Sequence, residues 1–383
     1  MERIFYSFEK CDRLLRMEHK DEYQAELFVN RLKKKYKELR KWARKNRISC
    51  FRLYDRDIPE IPVSLDVYEF LPEDITNTIE CARFLSEQNA RIAENDVSVE
   101  KELSARRYAV LYLYERPYKK PQEEEENWLS LMAEKAAEVL HTDCSHIIKK
   151  ERRMQKGLSQ YTKNENIPAA VKGIVQEQGQ LFKIDLSTYL DTGLFFDHRP
   201  LRAHIRDTAS GKSVLNLFCY TSSFSVYAAQ GNARRIESAD LSNTYLSWSK
   251  ENMTLNGFTD KNKYIFTKGD CVQLLNEKKS SANPDDRFDI IILDPPTFSN
   301  SKSTQTILDI NRQWQDLVND SIALLNPGGL LYFSTNSTRL SFSQELITGA
   351  GTSLTVTDIT AQSIPKDFEG SKCHRAWKIA LKK

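Results

Sequence analysis

The sequence predicts an α/β protein in three parts: a basic N-terminal helix, a small α+β domain, and a doubly wound, mainly parallel sheet. Three observations predict it. A long amphipathic helical pattern comes first, short segments rich in β-branched and aromatic residues follow, and strands alternate with helices after residue 200. We place the three parts at 1–48, 49–192 and 193–383.

The first element is a helix predicted over residues 21–47. Its apolar side chains recur every three or four residues and form a stripe, namely Phe28, Leu32, Tyr36, Leu39 and Ala43. The opposite face is basic and carries Lys33, Lys34, Lys37, Arg40, Lys41, Arg44 and Lys45. Such a face is either a solvated helix surface or a row of phosphate contacts. We predict RNA contacts for its first five members.

The small domain is predicted from strand-like segments that surround one helix, at 123–140. The segments are 50–55, 62–70, 107–115, 145–150, 169–177 and 180–190, which we expect to form a mostly antiparallel sheet that binds RNA. A basic loop separates two of these strands. It is either inert or an RNA contact with a stacking tyrosine, and we predict contacts for Arg152, Arg153, Lys156 and Tyr161.

The C-terminal part alternates apolar strands with amphipathic helices. The strands are predicted at 213–220, 235–240, 263–270, 288–294 and 329–336, and two more follow at 353–360 and 375–383. This order predicts a Rossmann-like sheet, which binds ligands at the carboxyl ends of its strands. A GxGxxG or P-loop sequence is absent, which argues against a dinucleotide or ATP phosphate site.

Acidic residues end three consecutive strands of this sheet. Asp240 follows the first turn by about 20 residues, the position from which a carboxylate accepts both hydroxyls of a ribose. A helix N-cap is the alternative role for Asp240. Asp270 stands where the same fold places an acid near an adenine amino group, and Asp294 ends the next strand. Together they predict an adenosine-containing ligand.

Asp294 is followed by Pro295 and Pro296, which cannot continue a central strand. The backbone must turn there, so the corner offers an acid, carbonyl acceptors and the stacking face of Phe298. Enzymes that methylate exocyclic amines use a related pattern, in which an aromatic residue directly follows the prolines. Here Thr297 is inserted before the aromatic residue.

These motifs together resemble the ribosomal large-subunit RNA methyltransferases of the RlmK type, whose domain is the C-terminal half of the fused RlmKL enzymes. The similar stretches are 30–46, 51–68, 188–202, 214–229, 239–248, 256–258, 269–271, 293–302 and 373–379. The resemblance implies a class I S-adenosylmethionine-dependent methyltransferase that forms 7-methylguanosine in 23S ribosomal RNA or a large-subunit precursor. The fused enzymes carry a further guanine-N2 methyltransferase half, so we expect that second activity to be absent here.

The resemblance also assigns roles to residues of this sequence. The methionine end of the cofactor would meet Phe218, Tyr220, Thr221 and Ser222, and the family has glycine where Ser222 stands. Asp240 would bind the ribose, Asp270 and Cys271 would flank the adenine, and Leu241 would also contact the cofactor. Asp294 and Pro295 would lie between the cofactor and the target base, with Asp294 also a cofactor contact, and Phe298 would stack on the base. Asp197 and Arg199 would reach either the cofactor carboxylate or RNA, and further RNA contacts are expected from Lys302, His374 and Arg375.

Composition limits the remaining classes of protein. Lys and Arg number 56 against 53 Asp and Glu, so the net charge of +3 gives no evidence for RNA binding by itself. The sequence shows no membrane-spanning run and no signal peptide. Its seven cysteines are scattered without metal-ligand spacing. We therefore expect reduced thiols, no metal site, no membrane partner and a cytoplasmic location.

Two other functions remain open from the residues alone. Cytosine-C5 or exocyclic-amine methylation would use the same fold, but carbon methylation needs a thiolate nucleophile. Cys373 is the cysteine to watch for that role, with a structural strand position as its alternative. The second is a ribosome-assembly factor that binds RNA and keeps only a vestigial cofactor site. Ser222 is the one residue in its favour.

Overall fold

The computed structural model describes residues 2–118, 120–152, 170–281, 283–299, 307–348 and 353–382, with side chains from residue 19 onward. The helices are α1 (Glu2–Lys45), α2 (Thr78–Ala93), α3 (Ser98–Ala105), α4 (Gln122–Leu140), α5 (Arg199–Thr208), α6 (Ser223–Gln230), α7 (Asn243–Leu255), α8 (Cys271–Ser280), α9 (Ile310–Ala323) and α10 (Thr360–Ser363). The strands are β1 (Cys50–Asp55), β2 (Val63–Glu69), β3 (Arg107–Tyr114), β4 (Ile147–Arg152), β5 (Lys172–Glu177), β6 (Gln180–Asp185), β7 (Ser213–Leu217), β8 (Arg235–Asp240), β9 (Tyr264–Lys268), β10 (Phe288–Leu293), β11 (Phe298–Ser299), β12 (Leu308–Asp309), β13 (Leu325–Thr335), β14 (Leu354–Asp358) and β15 (Arg375–Leu381).

The chain divides into two compact units. The first comprises Met1–Pro72 and Phe84–Gln155, and the second comprises Glu73–Arg83 and Lys156–Lys383. This division differs from the expected parts in three places, one of which is that Glu73–Arg83, expected in the small domain, belongs to the second unit. Helix α1 shares a unit with the four-stranded sheet, and the β5–β6 hairpin belongs to the second unit.

The first unit is built on a sheet of order β1-β2-β3-β4. The first two pairings are antiparallel and β3 pairs with β4 in parallel. The predicted apolar stripe of α1 is confirmed: its five side chains are buried in one core with Trp128 and Met132 of α4. Burial of this stripe against the sheet explains why α1 does not form a separate part. Helices α2 and α3 were not predicted.

The β5–β6 hairpin is separate from that sheet because its strands pair only with each other among the described strands. Two asparagines of the α7 region fix its backbone. Asn252 Oδ1 accepts the N–H of Lys183 at 3.0 Å, and Asn256 bonds both the N–H and the carbonyl of Leu181 at 2.9 and 2.7 Å. These hydrogen bonds attach the hairpin to the second unit.

The second unit contains a seven-stranded sheet of order β14-β15-β13-β10-β7-β8-β9. Strands β13, β10, β7, β8 and β9 run parallel, and β15 is antiparallel to both β13 and β14. The predicted doubly wound, mainly parallel sheet with a terminal hairpin is confirmed. The strand order reverses between β7 and β10, and such a switch point is where this fold binds ligands.

Strand β10 shows how the sequence produces this sheet. The run "FDIIIL" is nearly continuous in apolar residues and is buried along its length apart from Asp289. Continuous apolar runs are typical of parallel strands covered on both faces by helices. Pro295 and Pro296 follow directly and end the strand. Among the described helices, none has both the length and the apolar character that crossing a membrane requires.

Candidate active site

The carboxyl ends of β7, β8, β9 and β10 carry most of the residues predicted to bind the cofactor and the base. The turn after β7 holds residues 218–222, and Asp240, Asp270 and Asp294 stand at or just after the ends of the other three strands. Because parallel strands end at the same edge of a sheet, these groups share the edge next to the switch point.

The turn after β7 has an uncommon backbone. Phe218, Tyr220 and Ser222 have φ angles of 54°, 50° and 61°, in the left-handed region that favours glycine. Ser222 is the fully buried N-cap of α6 and adopts there a left-handed conformation, which glycine enters without steric cost. Such strain persists only where the surrounding structure holds it, and it clusters at functional sites.

Three contacts hold this turn in place. The Phe218 N–H lies 3.3 Å from Cys271 Sγ, and the Tyr220 N–H donates to Asp240 Oδ2 at 3.0 Å. Thr221 is 1% exposed and its hydroxyl donates to the Gly193 carbonyl at 2.6 Å. The Thr221 hydroxyl is therefore a structural donor.

Asp240 is not the N-cap of the following helix. That role belongs to Ser242, whose Oγ accepts the Tyr245 N–H at 3.3 Å. Asp240 Oδ1 accepts the Ser242 N–H at 2.9 Å while Oδ2 accepts that of Tyr220. Burial raises the pKa of Asp240, although these amides oppose the shift. A carboxylate has about four acceptor positions, so lone pairs remain for two ribose hydroxyls.

Asp270 and Cys271 begin α8. Asp270 is its N-cap and accepts the Val272 N–H at 2.8 Å. Cys271 is 2% exposed, and Cys219 on the neighbouring turn is also buried. Burial raises the pKa of both thiols well above the ordinary value. Neither thiol is therefore available as a thiolate nucleophile near neutral pH. Leu241, predicted to contact the cofactor, is half-buried.

The Asp294 corner presents a fixed acid beside an exposed ring. Ser334 Oγ on β13 donates to Asp294 Oδ1 at 2.6 Å, and Pro295 is buried. Phe298 begins β11, which pairs with β12, and its side chain is 48% exposed. The corner can thus offer a carboxylate and a stacking surface to the same planar ligand.

A buried cluster that the sequence analysis did not assemble lies against this corner. His374 Nδ1 lies 2.9 Å from Asp197 Oδ2, and its Nε2 lies 2.8 Å from Ser363 Oγ. His198 stacks on His374 with ring centroids 4.2 Å apart. His198 stands between Asp197 and Arg199 in the "FFDHR" stretch, but only the fold shows that it reaches Asp294.

Three residues of this cluster have the chemistry of metal ligands. Asp197, His198 and His374 place one potential ligand atom each within 4.8 Å of one another. Both ring nitrogens of His374 already have hydrogen-bonding partners, and its ring stacks on that of His198. These interactions account for the cluster without an ion.

Two residues predicted as contacts are buried in other interactions. Arg199 is 2% exposed and binds Glu177 at 2.7 Å and Asp367 at 2.8 Å. His374 is 3% exposed and bonded as described. Arg375 is half-buried, donates to the Leu340 carbonyl and lies over the Trp377 ring.

The predicted RNA contacts on α1 are placed as follows. Lys33, Lys34, Lys37 and Lys41 are exposed, whereas Arg40 is half-buried and pairs with Glu100. In the same unit, Arg152 at the end of β4 lies over the Tyr112 ring, with 4.5 Å from its guanidinium carbon to the centroid. The predicted contacts Arg153, Lys156, Tyr161 and Lys302 lie outside the described residues.

Comparison with known proteins agrees with this architecture. Residues 101–357 match the S-adenosylmethionine-dependent methyltransferases, the class of enzyme that the strand order and the acidic edge define. A crystal structure of SMU.776, a methyltransferase complexed with SAH, superposes with a TM-score of 0.65 at 18% identity over 93% of this chain and 81% of that chain. A methyltransferase from Streptococcus mutans gives a TM-score of 0.64, also at 18% identity and with the same two coverages. These two structures support the fold.

Closer relatives come from curated proteins. The ribosomal RNA large subunit methyltransferase K of Neisseria meningitidis is 39% identical over 355 residues, which cover 93% of this chain and 87% of the relative. The K/L protein of Magnetococcus marinus is 37% identical over 93% of this chain but only 43% of its own length. The chain belongs to the ribosomal RNA large subunit methyltransferase K family. It spans less than half the length of such K/L relatives.

Proposed function

We propose that this enzyme transfers the methyl group of S-adenosylmethionine to N7 of a guanine in 23S ribosomal RNA or its precursor, in the cytoplasm. The observation that carries the proposal is the Asp294 corner. It combines a carboxylate fixed by Ser334 with the exposed Phe298 ring, at the switch point of the sheet. The names of the curated relatives support ribosomal RNA as the substrate.

The first step of the proposal concerns the cofactor. The strained turn at 218–222 would meet the methionine end, since residues held in a strained backbone conformation cluster at ligand-binding sites. The remaining lone pairs of Asp240 accept the two ribose hydroxyls. Asp270, Cys271 and Leu241 flank the adenosine. The residues at this edge therefore fit S-adenosylmethionine, which supplies an electrophilic methyl group when bound.

The second step concerns the base. Asp294 accepts from the N1–H and amino group of guanine, and Phe298 stacks on the ring. Guanine N7 carries a lone pair and no proton, so no general base is needed. In the transfer the carbon–sulfur bond breaks as the carbon–N7 bond forms, and the positive charge passes from sulfur to the base. In-line positioning can supply most of the catalysis.

Cytosine-C5 methylation is the competing reaction, and one contact favours it. Cys373 is half-buried, and its Sγ lies 3.6 Å from His374 Nδ1. The two cysteines at the cofactor edge, Cys219 and Cys271, have raised pKa values and do not offer a thiolate. Carbon methylation would therefore depend on Cys373.

For RNA binding, we propose the first unit. Lys33, Lys34, Lys37 and Lys41 are exposed on α1 and form no ion pair with the residues whose side chains are described. They form a cationic face of the kind that contacts phosphates.

The proposal is tested by methylating 23S ribosomal RNA in vitro with tritiated S-adenosylmethionine and treating the product with borohydride and aniline. Cleavage at one site that depends on the enzyme is expected, because this treatment breaks the chain at 7-methylguanosine. Tritium incorporation without cleavage would contradict N7 as the target and favour carbon or amine methylation. Cofactor binding without incorporation would contradict the enzymatic proposal for this RNA.

A further inference from the structure

His198 is a buried histidine that the proposed methyl transfer has not used. It is 6% exposed and directly precedes α5. Its Nε2 lies 3.4 Å from Asp294 Oδ2 and 4.0 Å from Asp197 Oδ2. Its Nδ1 has no hydrogen-bonding partner within the described part of the chain. The contact to Asp294 is longer than a good N–H···O bond of about 2.7–3.2 Å. Such contacts often tighten when a substrate binds.

The orientation of the His198 ring is fixed from two sides. The His374 ring stacks on it at 4.2 Å with an angle of 21° between the planes. The Phe224 ring of α6 also packs on it, with ring centroids 5.7 Å apart and an angle of 55° between the planes. His374 is itself held at both nitrogens by Asp197 and Ser363. His198 therefore has little freedom to turn away from Asp294.

The charges around His198 determine its protonation state. Burial opposes a charge on His374, but the interactions with Asp197 and Cys373 together outweigh it and raise the pKa of His374 to about 10. His374 is thus an imidazolium at neutral pH. A second imidazolium stacked on it would be repelled, and Arg202 of α5 adds to that repulsion.

Burial and these cations lower the pKa of His198, although Asp294 and Asp197 oppose the shift. His198 is therefore neutral at physiological pH. The nitrogen that faces both carboxylates, Nε2, carries the proton, which leaves Nδ1 as a bare acceptor. A buried acceptor without a partner is easier to tolerate than a buried N–H without one.

We propose that His198 is the positioning residue of Asp294: its neutral Nε2–H holds Oδ2 while Ser334 holds Oδ1, and the carboxylate keeps its full negative charge for the base. This inference rests on the proposed function. The transfer moves a positive charge onto the base, so an ionised Asp294 stabilises the transition state. A protonated His198 would offset the negative charge of Asp294 and so remove this stabilisation of the transition state.

The experiment measures kcat for RNA methylation between pH 5.5 and 8.5 in the wild type, His198→Gln and His198→Ala. Gln keeps a neutral donor near the position of Nε2, whereas Ala removes it. At pH 7.5 we expect a loss of about twofold to threefold for His198→Gln and about tenfold for His198→Ala, the size of one hydrogen bond. The affinity for S-adenosylmethionine should stay unchanged in both.

The pH dependence of kcat distinguishes a positioning role of His198 from a merely structural one, because a structural role would not change it. Wild-type kcat should show an acid limb at a pH lower than that of an ordinary imidazole, because burial and the neighbouring cations lower the pKa of His198, and His198→Gln should lack this limb. His204→Gln is the matched control. His204 lies on α5 and bonds the Tyr332 hydroxyl at 3.0 Å, so this variant should keep the wild-type profile.

Two results would overturn the inference: wild-type kcat in His198→Ala, or an unchanged acid limb in His198→Gln. If His198→Ala does not fold, the profile of His198→Gln decides. Because kcat is measured as tritium incorporation, the test of His198 stands even if the methylated atom is not N7. The borohydride–aniline assay of the wild type reports that failure separately.

Discussion

The backbone N–H of Tyr220 donates to Oδ2 of Asp240 across 3.0 Å, which joins the turn after β7 to the end of β8. One carboxylate therefore stabilises the strained turn and is available to a ligand at the same edge. A substitution at Asp240 changes both, and its effect on the cofactor can be separated from its effect on RNA.

Asp240→Asn should weaken S-adenosylmethionine binding by about 10- to 100-fold, because hydrogen bonds to a charged group contribute about 1.5–3 kcal/mol. Asn keeps one acceptor for the Tyr220 amide and loses the charge. Isothermal titration with S-adenosylmethionine measures the effect, and filter binding should show unchanged RNA affinity. Asp260→Asn, at an exposed turn, is the control. Equal cofactor affinity in both variants would argue against a ribose contact.

Ser222→Gly should stabilise the protein. Ser222 has a φ of 61°, and a left-handed conformation costs a non-glycine residue about 1–2 kcal/mol. Glycine loses part of that gain through the greater entropy of its unfolded state, so we expect a net increase of about 0.5–1 kcal/mol in the free energy of unfolding. Urea denaturation measures it. Ser223→Gly, one residue further into the helix, should destabilise, and equal effects from both would contradict the strain argument.

The stability of the second unit should depend on His374 at alkaline pH. Its pKa is raised from 6.5 to about 10 in the folded protein, so its contribution is fully present below pH 6.5. That contribution declines above pH 6.5 and is lost as the pH rises through about 10. The difference in unfolding free energy between the wild type and His374→Gln should therefore shrink between pH 6.5 and 9.5. A constant difference would show that His374 does not carry the charge.

Reversal of the α1 lysines tests the RNA-binding face. Changing Lys33, Lys34 and Lys37 to Glu should lower RNA affinity and reduce the slope of log affinity against log salt by about 2–3, roughly one per lost phosphate contact. Lys135→Glu is a control in the same unit, since Lys135 pairs with Glu138. Unchanged salt slopes would identify the α1 face as an ordinary solvated surface.

Cys373→Ser distinguishes nitrogen from carbon methylation. A reaction at guanine N7 needs no nucleophilic thiol, so kcat should stay within about twofold of the wild type. Loss of all incorporation in a folded Cys373→Ser protein would support cytosine-C5 chemistry. Cys144→Ser, at an exposed cysteine of the first unit, controls for the loss of a thiol.

Sequence predicts well those helices and strands whose pattern of buried residues can be read within one short stretch of the chain. Strand β10 and the Asp294 corner follow from six residues and two prolines, and the stripe of α1 follows from its spacing. His198 and Asp294 are 96 positions apart in the sequence. A pattern within a short stretch of sequence could therefore not reveal their contact. The hydrogen bond of His374 to Asp197 was not predicted for the same reason.

The buried arginines of α5 limit where the chain can be truncated to give a catalytic fragment that still folds. Arg199 and Arg202 both bind Glu177, which lies on β5 and therefore before the expected boundary at residue 193. A fragment that starts at that boundary would retain two guanidiniums in an apolar interior without this carboxylate. Breaking a buried pair in this way costs about 3–5 kcal/mol, a large share of the stability of a domain. A catalytic fragment that folds alone should start before β5, near residue 170.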